Sequence, residues 1–189
     1  LTLVDVLFPV VLLALAFMPF IACKQASSDM ENKTIQIQHM QAIVEQTDLT
    51  LDQWLFECGR NANILAQEQV LIQACETGNN ADSQIYLSSY LAQSPAYENV
   101  FLANVEGVII SDAMEGATLG IDISEMDLLR VNQEKTASGQ QWLGDAVLSP
   151  ITKRPVALIS TPVRTEDKLV GILGTPVELN DFAERYLNN

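Results

Sequence analysis

The chain has 189 residues, 48% of them hydrophobic, and carries 24 acids against 10 bases for a net charge of −14. Such an acidic surface repels phosphate polymers, which argues against nucleic acid as a partner; it suits a cationic or zwitterionic small ligand, or serves simply to keep a domain solvated. There is one histidine and there is no glycine-rich phosphate loop, zinc signature or calcium loop, so an enzyme reading of this segment has little support and no cofactor is implied.

From Val6 to Cys23 the chain runs eighteen residues without a charge. About 20 apolar residues at a 1.5 Å rise cross the hydrocarbon core, so residues 1–23 read as a transmembrane anchor and residues 24–189 as one aqueous domain. Phe20-Ile21-Ala22-Cys23 loosely resembles a bacterial lipobox, but Phe20 stands where Leu is usual and Pro19 is unhelpful, so a retained membrane helix is favoured over a lipid-modified Cys23. With no initiator Met and an end at Asn189 just after a helical pattern, the chain reads as a piece of a longer protein.

A long helix is expected over residues 30–73. Ile37, Met40, Val44, Thr47, Leu51, Trp54, Cys58 and, after a lapse at Asn61, Leu65 fall at alternating spacings of three and four, an a/d seam. Such a seam pairs with a second copy, lies on its own domain, or does both in part; Gly59 suggests a bend. Cys23, Cys58 and Cys75 are odd in number and form no CxxC pair. On one straight helix Cys58 and Cys75 lie about 25 Å apart, too far to bridge, so buried free thiols are expected ahead of a Cys58–Cys58′ bridge between parallel helices.

Glu76 to Asn80 breaks the pattern, and a short amphipathic helix with Ile85, Leu87, Tyr90 and Leu91 closes at Ser94-Pro95. Period-two runs then predict strands at Asn99–Val105 and Val108–Ser111 around a Glu106-Gly107 turn. After the loop Glu115–Gly120, Ser124 is expected to cap a helix over Glu125–Thr136 with Asp127 three residues on. Strands at Gln141–Leu148, Val156–Val163 and Leu169–Val177, then a helix at Asn180–Leu187, complete the chain. This is an α+β order with a long N-terminal helix on a five-stranded antiparallel sheet, preceded by the membrane helix. Runs such as Val156–Ile159 and Leu169–Leu173 are apolar on both faces, so the sheet is expected to be covered on both sides, by the long helix and by the segment Glu115–Thr136.

Candidate chemistry is sparse. His39, among Gln38, Met40 and Gln41 on the long helix, has no pocket around it. If Val147 and Ser149 face a pocket, alternation puts Asp145 beside them, where a carboxylate holds a cation or amine, and sets Trp142 on the other side, in the core. Arg130 is the candidate clamp for a carboxylate ligand. Of Ser160 and Thr161 only one faces inward, to line the pocket floor. Gly171-Ile172-Leu173-Gly174 reads as a packing feature within a strand.

In order, Glu106-Gly107, Gly120-x-Asp122-Ile123-Ser124, Ser149-Pro150, Thr152-Lys153-Arg154-Pro155-Val156, Ser160-Thr161-Pro162-Val163 and Val170-Gly171-Ile172-Leu173-Gly174 resemble the Cache family of PAS-like extracytoplasmic sensors, over roughly Glu31 to Leu187. The resemblance implies a periplasmic or extracellular domain on the inner membrane of a chemoreceptor, sensor kinase or cyclic-dinucleotide enzyme, with a small-molecule pocket between the sheet and the loop–helix layer. The amino-acid-binding branch carries Tyr-x4-Arg-x-Trp-Tyr in the connecting helix, Tyr-x-Asp on the third strand and a further Asp on the fifth. This chain has no Trp-Tyr pair around Arg130, Val147 and Ser149 at the Tyr-x-Asp positions, and Pro176 near the last Asp. The expected partners are therefore a small amine, carboxylate or similar ligand, the membrane, and a second copy along the long helix. An anchored binding module without signalling output is the alternative.

Overall fold

The computed structural model describes residues 3–125 and 135–187, with side chains from Lys33 onward except Thr34 and Glu125. The chain divides into two compact units, Leu1–Asp48 and Leu49–Asn189. Helix α1 (Leu3–Leu65) spans the division. Among the residues described with their side chains, no helix is long and apolar enough to cross a membrane, and Val6–Cys23 are not among those residues.

Burial splits the predicted seam. Ile37, Met40 and Val44 are exposed, whereas Trp54, Cys58 and Leu65 belong to the core of the second unit. Gly59 makes no break in α1; it admits a close approach instead. Gln141 donates from Nε2 to the Gly59 carbonyl at 2.8 Å, and a Cβ on Gly59 would meet Gln141 Oε1 at 2.7 Å.

The helix expected to reach residue 73 stops at Leu65, and α2 (Gln69–Thr77) begins after a turn through Ala66–Glu68. No Gly or Pro marks that turn. Burial accounts for it: Leu65, Ala66, Leu71 and Ala74 all enter the core because the chain turns there. Gly78, at φ 71°, ends α2 with its N–H donating to the Ala74 carbonyl, and α3 (Ala81–Ala92) follows.

Five strands form one antiparallel sheet: β1 (Phe101–Asn104), β2 (Ile109–Asp112), β3 (Trp142–Leu148), β4 (Pro155–Thr165) and β5 (Lys168–Glu178), in spatial order β2-β1-β5-β4-β3. Helix α4 (Leu179–Tyr186) closes the described chain. Alternate residues serve two cores. Leu102, Ile159, Val163, Leu173 and Val177 join residues of α1, α2, α3 and α4, while Phe101, Ala103, Ile109 and Leu158 face Ile121 and Ile123 of the loop after β2. Two glycines of β5 permit this. At Gly174 a Cβ would fall 2.1 Å from the Phe101 ring, and at Gly171 it would fall 2.3 Å from Cys75 Sγ and 2.7 Å from the Ala103 carbonyl.

Both described cysteines are free thiols. Cys58 is buried in the core and so does not present itself to a second chain. Burial, aided by Glu57, pushes its thiol up to about 11 against a hydrogen bond with Tyr97 that lowers it; burial and Glu76 push Cys75 up to about 12. The unfolded chain loses these protons first, at about pH 8.5, so the stabilising contribution is whole below that pH and drains away as pH rises towards 11. At pH 8, alkylation of Cys58 and Cys75 by iodoacetamide, read by peptide mass spectrometry, is expected to run roughly 100-fold slower in the native chain than in urea.

Candidate ligand-binding site

A cavity of about 230 Å³ opens between the sheet face of the smaller core and two loops. Phe101 of β1, Ile109 of β2, Val156 and Leu158 of β4 and Pro176 of β5 make its floor, and Val147 of edge strand β3 closes one side. Thr118 and Ile121 cover it from the loop after β2, and Ser149, Pro150 and Ile151 from the β3–β4 turn; Glu98 and Asn99 enter from the segment before β1.

Local chemistry builds both loops. Asp112, fully buried at the end of β2, accepts hydrogen bonds at Oδ1 from Met114 N (3.1 Å) and Gly116 N (2.7 Å), and at Oδ2 from Thr118 N and Thr118 Oγ1, both at 2.6 Å. One carboxylate thus gathers three loop amides and a hydroxyl, with Gly116 at φ 88° allowing the tight path. The loop then returns along the outer edge of β2: Gly120 N donates to Ile109 O and Ile109 N to Ile121 O, each at 2.9 Å, which covers an otherwise open edge. Asp122 Oδ1 accepts from Ser124 N and Ser124 Oγ. Asp122 therefore caps a 3-10 turn over Ile123–Glu125; Asp127 and most of the connecting helix that Ser124 is expected to cap lie outside the described residues. In the other loop Ser149 Oγ accepts from Ile151 N (3.1 Å) and Thr152 N (3.2 Å).

The structure brings Val147 and Ser149 together in this lining. Asp145 is exposed on β3 and lies outside it. A bulge between Leu143 and Ala146 sets Gly144 and Asp145 together opposite Leu158, so counting by twos from Val147 fails across them. The same bulge moves Trp142. It pairs with Ser160, on the face of Val156, and is 39% exposed with Lys135 Nζ 5.3 Å from its ring centroid, rather than packed in the core. Ser160 is buried outside the lining, its carbonyl accepting from Thr136 Oγ1, while Thr161 turns to the helix side to accept from Gln141 Nε2 at 2.8 Å. Arg130 lies outside the described residues. His39 is exposed on α1.

Asn99, Phe101, Ile109, Thr118, Ile121 and Leu158 were not anticipated as lining. Phe101, Ile109 and Leu158 sit in runs apolar on both faces, where period two gives no direction. A larger depression, about 400 Å³, lies against α1 and β3, but Asp52, Phe56, Arg60 and Asn63 around it are exposed, so a bound molecule would stay hydrated there. The smaller cavity, walled by buried apolar side chains, is the better site.

No family model matches the chain, and no curated protein matches it. Solved structures do. The sensor domain of the Vibrio cholerae histidine kinase DctB superposes with a TM-score of 0.66 at 12% identity, over 78% of this chain and 57% of that one. The fold is that of Cache-type sensor domains. The ligand-binding domain of the Campylobacter jejuni chemoreceptor Tlp3, solved with 4-methylisoleucine, matches this chain at TM-score 0.56 and 20% identity, over 74% of this chain and 56% of that one. The E. coli DcuS sensor domain matches at TM-score 0.54 and 13% identity over 70% and 94%. The chain thus spans a little over half of the DctB and Tlp3 domains and nearly all of the DcuS domain. At these identities the likeness is one of fold.

Proposed function

We propose that the chain is the extracytoplasmic sensing part of a membrane signal transducer. Residues 1–23 anchor it, a small molecule occupies the cavity beneath Thr118 and Ile121, and occupancy biases α1. The observation that carries this reading is an apolar cavity, with Asn99 in its wall, set on a fold whose solved examples include a histidine kinase sensor domain and a chemoreceptor ligand-binding domain. Signalling of this kind needs a second arrangement that the ligand prefers. The exposed Ile37, Met40 and Val44 supply a seam for a homodimer, and Tyr97 Oη, donating to the Cys58 carbonyl at 2.9 Å, ties the segment leading to β1 to the buried half of the same helix.

Single cysteines placed at each position from Ile37 to Val44 in a Cys23→Ser chain test the seam, since the two buried thiols react slowly. Disulfide formation in membranes is expected to peak at Ile37, Met40 and Val44 and to fall at least tenfold between them. A rate that does not vary along α1 overturns the paired seam.

A further inference from the structure

We infer that the cavity takes a neutral, mainly apolar molecule held through one hydrogen-bond acceptor by the Asn99 amide; this rests on the cavity being the sensing site. Phe101, Ile109, Val147, Val156 and Leu158 offer the ligand only hydrocarbon. The polar groups are mostly spent. Thr118 gives its hydroxyl proton to Asp112, Ser149 Oγ accepts from two backbone amides, and the Glu98 carboxylate at the margin accepts from Thr152 Oγ1. Asn99 differs. It is 1% exposed, its Oδ1 accepts from Val100 N at 2.7 Å, and among the described residues its Nδ2 has no acceptor.

With its oxygen engaged by Val100 N–H, the Asn99 amide keeps its donor side for a ligand oxygen or ring nitrogen in the cavity it lines. Among the described lining residues there is no cation, and the one carboxylate is at the margin. Against these lining residues a ligand carboxylate would meet no counter-charge and would approach Glu98 besides. An ammonium group would meet the Asn99 donor with a donor of its own. A carbonyl or aromatic nitrogen on an apolar body satisfies both the hydrocarbon wall and the amide.

Three matched probes test this on the whole chain in detergent by titration calorimetry: cyclohexanecarboxamide, cyclohexanecarboxylate and cyclohexylmethylamine. The amide is expected to bind at least tenfold more tightly than either charged probe. Asn99→Asp keeps the acceptor for Val100 N–H while removing the donor, so it is expected to weaken the amide at least tenfold and to favour the amine. The class is overturned if the carboxylate binds tightest, if no probe binds, or if Asn99→Asp leaves the amide unaffected. Should Asn99→Asp fail to fold, the order of the three probes in the unaltered chain decides. Val147→Trp fills the cavity from its edge strand and separates the two ideas. If it abolishes binding while the carboxylate is the tightest probe, the site stands and the ligand class falls; if binding survives it, the cavity is not the sensing site.

Discussion

Replacing Asp112 by Asn is expected to destabilise the second unit by about 3–5 kcal/mol, read as a fall in the denaturant midpoint by circular dichroism. The carboxylate holds four donors in a fully buried position, and asparagine offers only one oxygen to them. Two donors would then face an NH₂ group with no water to replace the lost acceptor. The damage is expected to reach the site as well, because Thr118 and Ile121 cover the cavity from the loop that Asp112 organises. Asp112→Asn should weaken any cavity ligand by more than tenfold even where the chain remains folded. A change below 1 kcal/mol would mean that water or a shifted loop satisfies those amides.

Trp54→Ala is expected to cost about 3–5 kcal/mol, again by denaturant midpoint, with Trp54→Phe costing less than half as much. The Trp54 ring is buried and its centroid lies 5.3 Å from that of Phe182, so one indole joins α1 to α4 across the larger core. This contact lies where a helix displacement would be felt. Trp54→Phe is therefore the more informative variant for signalling: the fold should persist, while any ligand-dependent change in crosslinking along α1 is reduced.

Much of the fold was legible from periodicity. The five strands, the break at Glu76–Asn80 and the closing helix are where alternation and turn chemistry put them, because an antiparallel sheet with short connections writes its register locally. The turn at Ala66–Glu68 was not legible, since packing of Leu71 and Ala74 rather than any local breaker creates it. Nor was the direction of Trp142. A single extra residue at Gly144–Asp145 reverses every inference drawn across it, and Gly144 was the only signal.

Part of the candidate cavity was legible. Val147 and Ser149, singled out because the Cache resemblance supplied positions to compare, line it, whereas Asp145, Trp142 and Ser160 do not. Asn99 and Thr118 could not be found that way. One is an unremarkable amide at a strand entrance, and the other matters through a carboxylate six residues earlier that looks, in sequence, like any solvated acid.

The most direct test of the sensing claim is chemical-shift mapping of the whole isotope-labelled chain titrated with the tightest small-molecule binder from a thermal-shift screen, since a ligand that binds the folded state raises its stability. The amides of Phe101, Thr118, Ile121, Ser149 and Leu158 are predicted to move together and to saturate with a single dissociation constant. Shifts confined instead to Leu55, Phe56, Gln141 and Leu143, on the other face of the sheet, would contradict the assignment of the cavity as the ligand site.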